Sequence, residues 1–168
     1  MHKNSRITKI ALLIAMAVAL HWVESFIPRP APFLRFGLAN IITLTTLYTF
    51  GGPWALFVVI SRVIIGSALA GGIFTPTFFF SLSGGIAAGI IMWQMPKGTF
   101  SAIGVSIGGA IGHMACQLFL AAIMIQHFSI MHILPFFLLA SVITGMINGY
   151  CAQILLDIMQ SRKQLSML

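Results

Sequence analysis

Acidic side chains are almost missing from this sequence. Glu24 and Asp157 are the only two, against nine Lys and Arg, and the net charge is +7. Two carboxylates on distant segments form no acid/base pair on a shared helix and no aspartate-rich magnesium site of the kind pyrophosphate chemistry needs. There is no P-loop, so the chain alone is not expected to hydrolyse ATP, and no enzymatic role is expected. Cysteine is scarce too. Cys116 and Cys151 fall in apolar runs, in no CxxC or Cys/His spacing, and read as buried free thiols. His127 and His132 stand close together in a loop, too thin a pattern for a metal, so neither a metal site nor a cofactor is expected. Charged residues of both signs make up 7% of the chain, far below the roughly 25% of soluble proteins. The basic ones are scattered between apolar segments without interleaved aromatics, which excludes nucleic acid as an expected partner.

What is present is apolar, 59% of 168 residues, in runs near the roughly 20 residues that cross a bilayer. The pattern predicts an all-α integral membrane protein. Its single transmembrane domain, residues 1–168, would hold six helices at about 7–26, 38–50, 54–70, 78–95, 100–125 and 133–157. The basic start, the apolar IALLIAMAVAL and Ala17-Val18-Ala19 have the form of a secretory leader. Since the apolar run continues through Val23 and five further spans follow, the segment is read as a retained first helix. The second helix, at about 1.5 Å per residue, covers only some 20 Å and needs part of the preceding segment to complete a crossing. Gly104, Gly108 and Gly112, and again Gly145 and Gly149, repeat every fourth residue and suit close helix packing. With both termini in the cytoplasm, Lys3, Arg6, Lys9, Lys97, Arg162 and Lys163 lie inside and only Arg29 and Arg35 outside, the expected bias.

The stretch His21–Asn40 is polar and stiffened by three prolines, and reads as the lip and lid of a site open to the outside. Arg62 lies near the middle of the third span. An ionised group there costs about 2.5–3.5 kcal/mol on insertion scales, so it should face a protein interior or a wet cavity. Arg62 is therefore expected to line one outward-opening cavity with His21, Glu24, Asn40 and Gln117, walled further by Ser81, Ser83 and His113. Two roles stay open for Arg62: a bidentate anchor for an anionic ligand group, or an ion pair with Glu24. Arg35, at a helix start, would also attract an anion, though Arg29 and Arg35 equally suit snorkelling to headgroups. His113 and Gln117, one turn apart, suit either a ligand or a helix-to-helix hydrogen bond. Trp22, Phe33, Phe36, Phe74, Phe78, Phe79 and Phe80 gather near helix ends, as an aromatic belt or as a stacking site for a planar ligand. Asn148 and Gln153 are expected lower, away from this group. Ala11, Ala15 and Ala19 share one face of the first helix, for packing within the chain or against a partner.

Three segments carry a resemblance: HWVESFIPRPAPFLRFGLANIITL, SRVIIGSALAGGIFTPTFFFSLSGG and IGGAIGHMACQL. Over nearly the whole chain they resemble the bacterial membrane family called Gx transporter, also labelled heptaprenyl diphosphate synthase component I. That family is similar to the S components of energy-coupling factor (ECF) transporters. The resemblance implies an S-component-like six-helix bundle in the bacterial cytoplasmic membrane, with N- and C-termini in the cytoplasm. Its role would be to capture a small anionic vitamin-like substrate, a flavin among the candidates, from the outer face. Implied partners are a transmembrane coupling subunit and two ATPase subunits, and Ala11, Ala15 and Ala19 match the row on which the coupling subunit docks. The synthase label implies instead a membrane component associated with making the heptaprenyl tail of menaquinone, and two acidic residues leave it non-catalytic in that role.

Overall fold

A computed structural model describes residues 2–26, 37–95 and 98–165, with side chains over 6–26, 37–95 and 98–161. The described chain is helical: α1 (His2–Ser25), α2 (Asn40–Phe50), α3 (Gly52–Leu69), α4 (Pro76–Gln94), α5 (Ala102–Met124) and α6 (Leu134–Leu165), with a 3-10 helix at Phe128–Ile133 and no strand among the described residues. All but α2 belong to the five segments long and apolar enough to cross a membrane. The helices differ from the expected ranges mainly at the two chain ends. There α1 begins at His2 and α6 runs on to Leu165, because nothing in MHKNSR or in the tail SRKQL breaks a helix.

The other boundaries are written in local chemistry. Gly51, at φ 95°, ends α2 and passes directly to Gly52-Pro53, where proline's preset φ suits the first turn of α3. At the far end of α3, Gly71 takes φ 65°, its N–H donates to Ala68 O, and Gly72 N–H donates to Ser67 O at 2.8 Å, the paired bonds of a Schellman stop. Thr75 then caps α4 by accepting from Phe78 N–H, with Pro76 following, and Ser101 caps α5 by accepting from Gly104 N–H.

The shortest helix lies innermost. α2 touches each of the other five, which pack in the order α1, α3, α4, α5, α6. Its residues Ile42 to Leu47 are all buried, as a helix apolar on every side should be. The threonines fit there because they bond to their own backbone: Thr45, Thr46 and Thr49 donate to the carbonyls four residues back at 2.7–2.8 Å. Glycines set the helix separations. A Cβ at Gly145 would stand 2.8 Å from Ile107 Cα, and one at Gly149 2.7 Å from Ile103 Cα, so α5 and α6 meet backbone to backbone. Gly108 turns to Met95, just past α4, and Gly112 to Ile91 of α4, whereas a Cβ at Gly104, the first of that row, would meet only its own helix start at Phe100 and Ser101. Outward, α6 presents Phe136, Leu139, Ile143, Ile147 and Tyr150, more than half exposed, a face for hydrocarbon rather than water.

Candidate functional site: a buried polar layer beneath a cavity

The buried polar side chains converge at the start of α2. Arg62 lies ten residues past the start of α3 (62 − 52) and seven short of its end (69 − 62), near mid-helix, and is 3% exposed. Its Nη2 donates to Asn40 Oδ1 at 2.9 Å. Glu24, 2% exposed, acts on Arg62 electrostatically, but its hydrogen bond goes elsewhere: Oε1 accepts from Gly37 N–H at 2.5 Å. Gly37 is the knot of this layer. Its carbonyl accepts from Asn40 N–H at 2.8 Å and from Asn148 Nδ2 at 3.2 Å, so one residue, through its N–H and its carbonyl, ties α1, α2 and α6 together. Its φ of 71°, and a Cβ position 2.9 Å from Asn40 Nδ2, leave room only for glycine.

On the other side of Arg62, α4 gives way. Gly85 admits the guanidinium, its absent Cβ 3.4 Å from Nη2, and Gly84 admits α5, its absent Cβ 2.8 Å from Gln117 Cγ and 3.1 Å from the His113 ring. Gln117 Nε2 donates to Phe80 O at 3.2 Å. Two polar atoms of the layer, Arg62 Nε and Gln117 Oε1, are buried and find no partner among the described residues.

The hollow space lies above this layer, where α1 stops and α3 turns into α4. A cavity of about 350 Å³ is lined by His21, Ser25, Ser67, Ala70, Gly71, Gly72, Thr75, Thr77 and Phe78, at the small end of the roughly 300–1,000 Å³ typical of ligand sites. Its rim is the Schellman stop of α3. Its wall on α1 is His21 and Ser25, and Gly66 packs against His21, with Arg62 one turn below Gly66. Of the residues expected to share one cavity, only His21 lines it. Glu24, Asn40, Arg62, His113 and Gln117 are packed into the layer beneath. Ser81 is buried with its hydroxyl on Thr77 O. Ser83, bonded to Phe79 O, borders a separate apolar groove with Phe79, Leu82, Ile86, Leu120 and Met124. Arg29 and Arg35, with Phe33 and Phe36, lie outside the described residues.

The family model described as heptaprenyl diphosphate synthase component I matches residues 13–155. The chain belongs to that family. No curated protein and no solved structure matches it. The matched region covers Glu24, Gly37, Arg62 and Asn148, and with them the whole polar layer. Sequence reasoning missed Gly37 and set Asn148 apart from the group; a glycine three residues before a buried Asn, after a proline-rich stretch, was the available sign of a forced turn. The cavity's hydroxyls were missed too. Ala11, Ala15 and Ala19 are all exposed, while Leu13 and Ala17 carry the inward packing of α1.

Proposed function

We propose that this chain is the substrate-binding membrane subunit of an ECF-type importer, with an S-component-like bundle and both termini on the cytoplasmic side of a bacterial cell membrane. It takes a small vitamin-like molecule, with a flavin as the specific candidate, from the outer face and performs no chemistry on it. The observation that carries this reading is the division of α1 into two working faces. One end of its inner face supplies His21 to the cavity and Glu24 to the polar layer. The opposite face leaves Ala11, Ala15 and Ala19 uncovered, a track of small side chains on which a helix of a coupling subunit can approach closely. Two cytoplasmic ATPases acting through that subunit would drive release inward. An anionic ligand group would meet an Arg62 that already donates to Asn40 and already faces Glu24, so its reception would fall to Arg35.

The test is co-purification with the coupling subunit and its ATPases. Ala15→Leu should abolish it while leaving the unfolding midpoint of the isolated chain unchanged, because Ala15 is exposed. Retention of the complex by this variant, or no complex with the parent protein, refutes the reading. The family description favours a second reading, a non-catalytic membrane companion of heptaprenyl diphosphate synthesis for menaquinone. That reading requires the protein, added to a prenyl diphosphate synthase, to change product length or rate.

A further inference from the structure

Whichever of the two functions the chain serves, we infer that Arg6 and Lys9, beside the Trp54 ring, form a binding site for the headgroup of an anionic phospholipid where α1 enters the bilayer. The 20-residue apolar stretch Arg6–Ser25 opens on Arg6 and rises about 30 Å, the thickness of the hydrocarbon. Arg6 therefore stands at the edge of the lipid. Trp54, in the first turn of α3, and Trp93, in the last turn of α4, mark the same level, with Gly52 packed directly on the Trp93 indole.

Arg6 is held in place at that edge. Its guanidinium lies 5.9 Å from the centre of the Phe50 ring and 5.3 Å from that of Trp54. A cation–π contact uses no hydrogen-bond donor, so the N–H groups of the fork stay available to oxygen acceptors. Lys9, three residues on, shares that side of α1, and both residues are exposed. Neither side chain has an ion pair or a hydrogen bond among the described residues. The sequence holds only two carboxylates that could supply one. Glu24 stands at the far end of α1, bonded to Gly37, and Asp157 is on α6, at the other end of the packing order. The counter-charge for these two neighbouring cations therefore comes from outside the chain, and at the edge of a bilayer the anions at hand are lipid phosphates. A phosphodiester suits the flat bidentate fork of Arg6, while Lys9 adds a second positive charge. A headgroup carrying its own ammonium would leave one of the two cations unbalanced, so the site favours lipids of net negative charge.

The experiment places the full chain in lipid nanodiscs, with Trp22 and Trp93 replaced by phenylalanine so that Trp54 alone reports. Its emission is quenched by phosphatidylglycerol or by phosphatidylcholine, each brominated on the acyl chain and mixed in rising proportion into unbrominated lipid. Phosphatidylglycerol should occupy the site at least about fivefold more strongly than phosphatidylcholine. Lys9→Ala, which leaves the Arg6 stack in place, should at least about halve that ratio, and Arg6→Ala should bring it below about twofold. Arg162→Ala, which removes the same charge from the end of α6, should leave the ratio unchanged. The ratio should also survive excess inorganic phosphate at constant ionic strength. Equal quenching by the two lipids, a ratio indifferent to Arg6 or to Lys9, or an equal fall in Arg162→Ala overturns the inference. A ratio abolished by inorganic phosphate makes a free anion the occupant and overturns the assignment to lipid.

Discussion

Glu24→Gln is the most direct probe of how the buried layer is balanced. The substitution keeps an oxygen for the Gly37 N–H but removes the charge that Arg62 faces. Arg62 would then be a cation 3% exposed, with Asn40 as its hydrogen-bond partner and an Nε that has none among the described residues. Removing one member of a buried charge pair typically costs about 3–5 kcal/mol. Because Glu24 acts here through space while bonding to Gly37, we expect a loss at or just below the lower end of that range, about 2–3 kcal/mol. Arg62→Met, which leaves Glu24 with its Gly37 bond but no counter-charge, should cost a similar amount. The double variant carries neither charge and should be less damaged than the two losses summed, with a coupling of about 1–2 kcal/mol. The assay is equilibrium unfolding of the four proteins in detergent micelles, followed by tryptophan fluorescence. Additivity within about 0.5 kcal/mol would refute the claim that these two groups balance each other.

Gly149→Leu should separate α5 from α6, because its Cβ would meet Ile103 Cα at 2.7 Å; a loss of at least about 2 kcal/mol is expected in the same unfolding assay. Gln117→Leu trades one hydrogen bond to Phe80 O for removal of a buried acceptor without a partner, so stability should change by less than about 1 kcal/mol. A loss beyond about 2 kcal/mol would show that Oε1 is satisfied by a water or a ligand. Arg6→Ala removes a guanidinium stacked 5.9 Å from the Phe50 ring and 5.3 Å from Trp54, which pins the start of α1 to the α2–α3 turn. About 1 kcal/mol should be lost, with a change in Trp54 emission.

The spans were legible because lipid imposes long apolar runs, and the helix stops at Gly51 and Gly71 were written in glycines. Arg62, Glu24, Asn40 and Gln117 were legible as buried for the same reason, since ionised or amide groups in such runs need protein around them. Whether they would line space or fill it was not legible. That depends on Gly84 and Gly85 letting α3 and α5 side chains close against α4, and helix periodicity carries no information on how closely three helices approach. Asn148 was not legible as part of the group, because its amide reaches the carbonyl of Gly37, a contact between residues 111 apart that helix periodicity does not carry.

The central position of α2 bears on how such a protein can be made. Eleven residues rise only about 16 Å, roughly half the hydrocarbon thickness, so this segment emerges from the ribosome without the length to hold a place in lipid by itself. It can enter only as the short arm of a hairpin with α3, joined through Gly51 and Gly52. Its burial is finished only by the last helix to be synthesised, which brings Ala152 against Leu44 and Leu47, and Asn148 to Gly37. A nascent chain cut short before α6 would therefore display its most polar interior to the bilayer. Synthesis of the final helix is thus the step that seals the site.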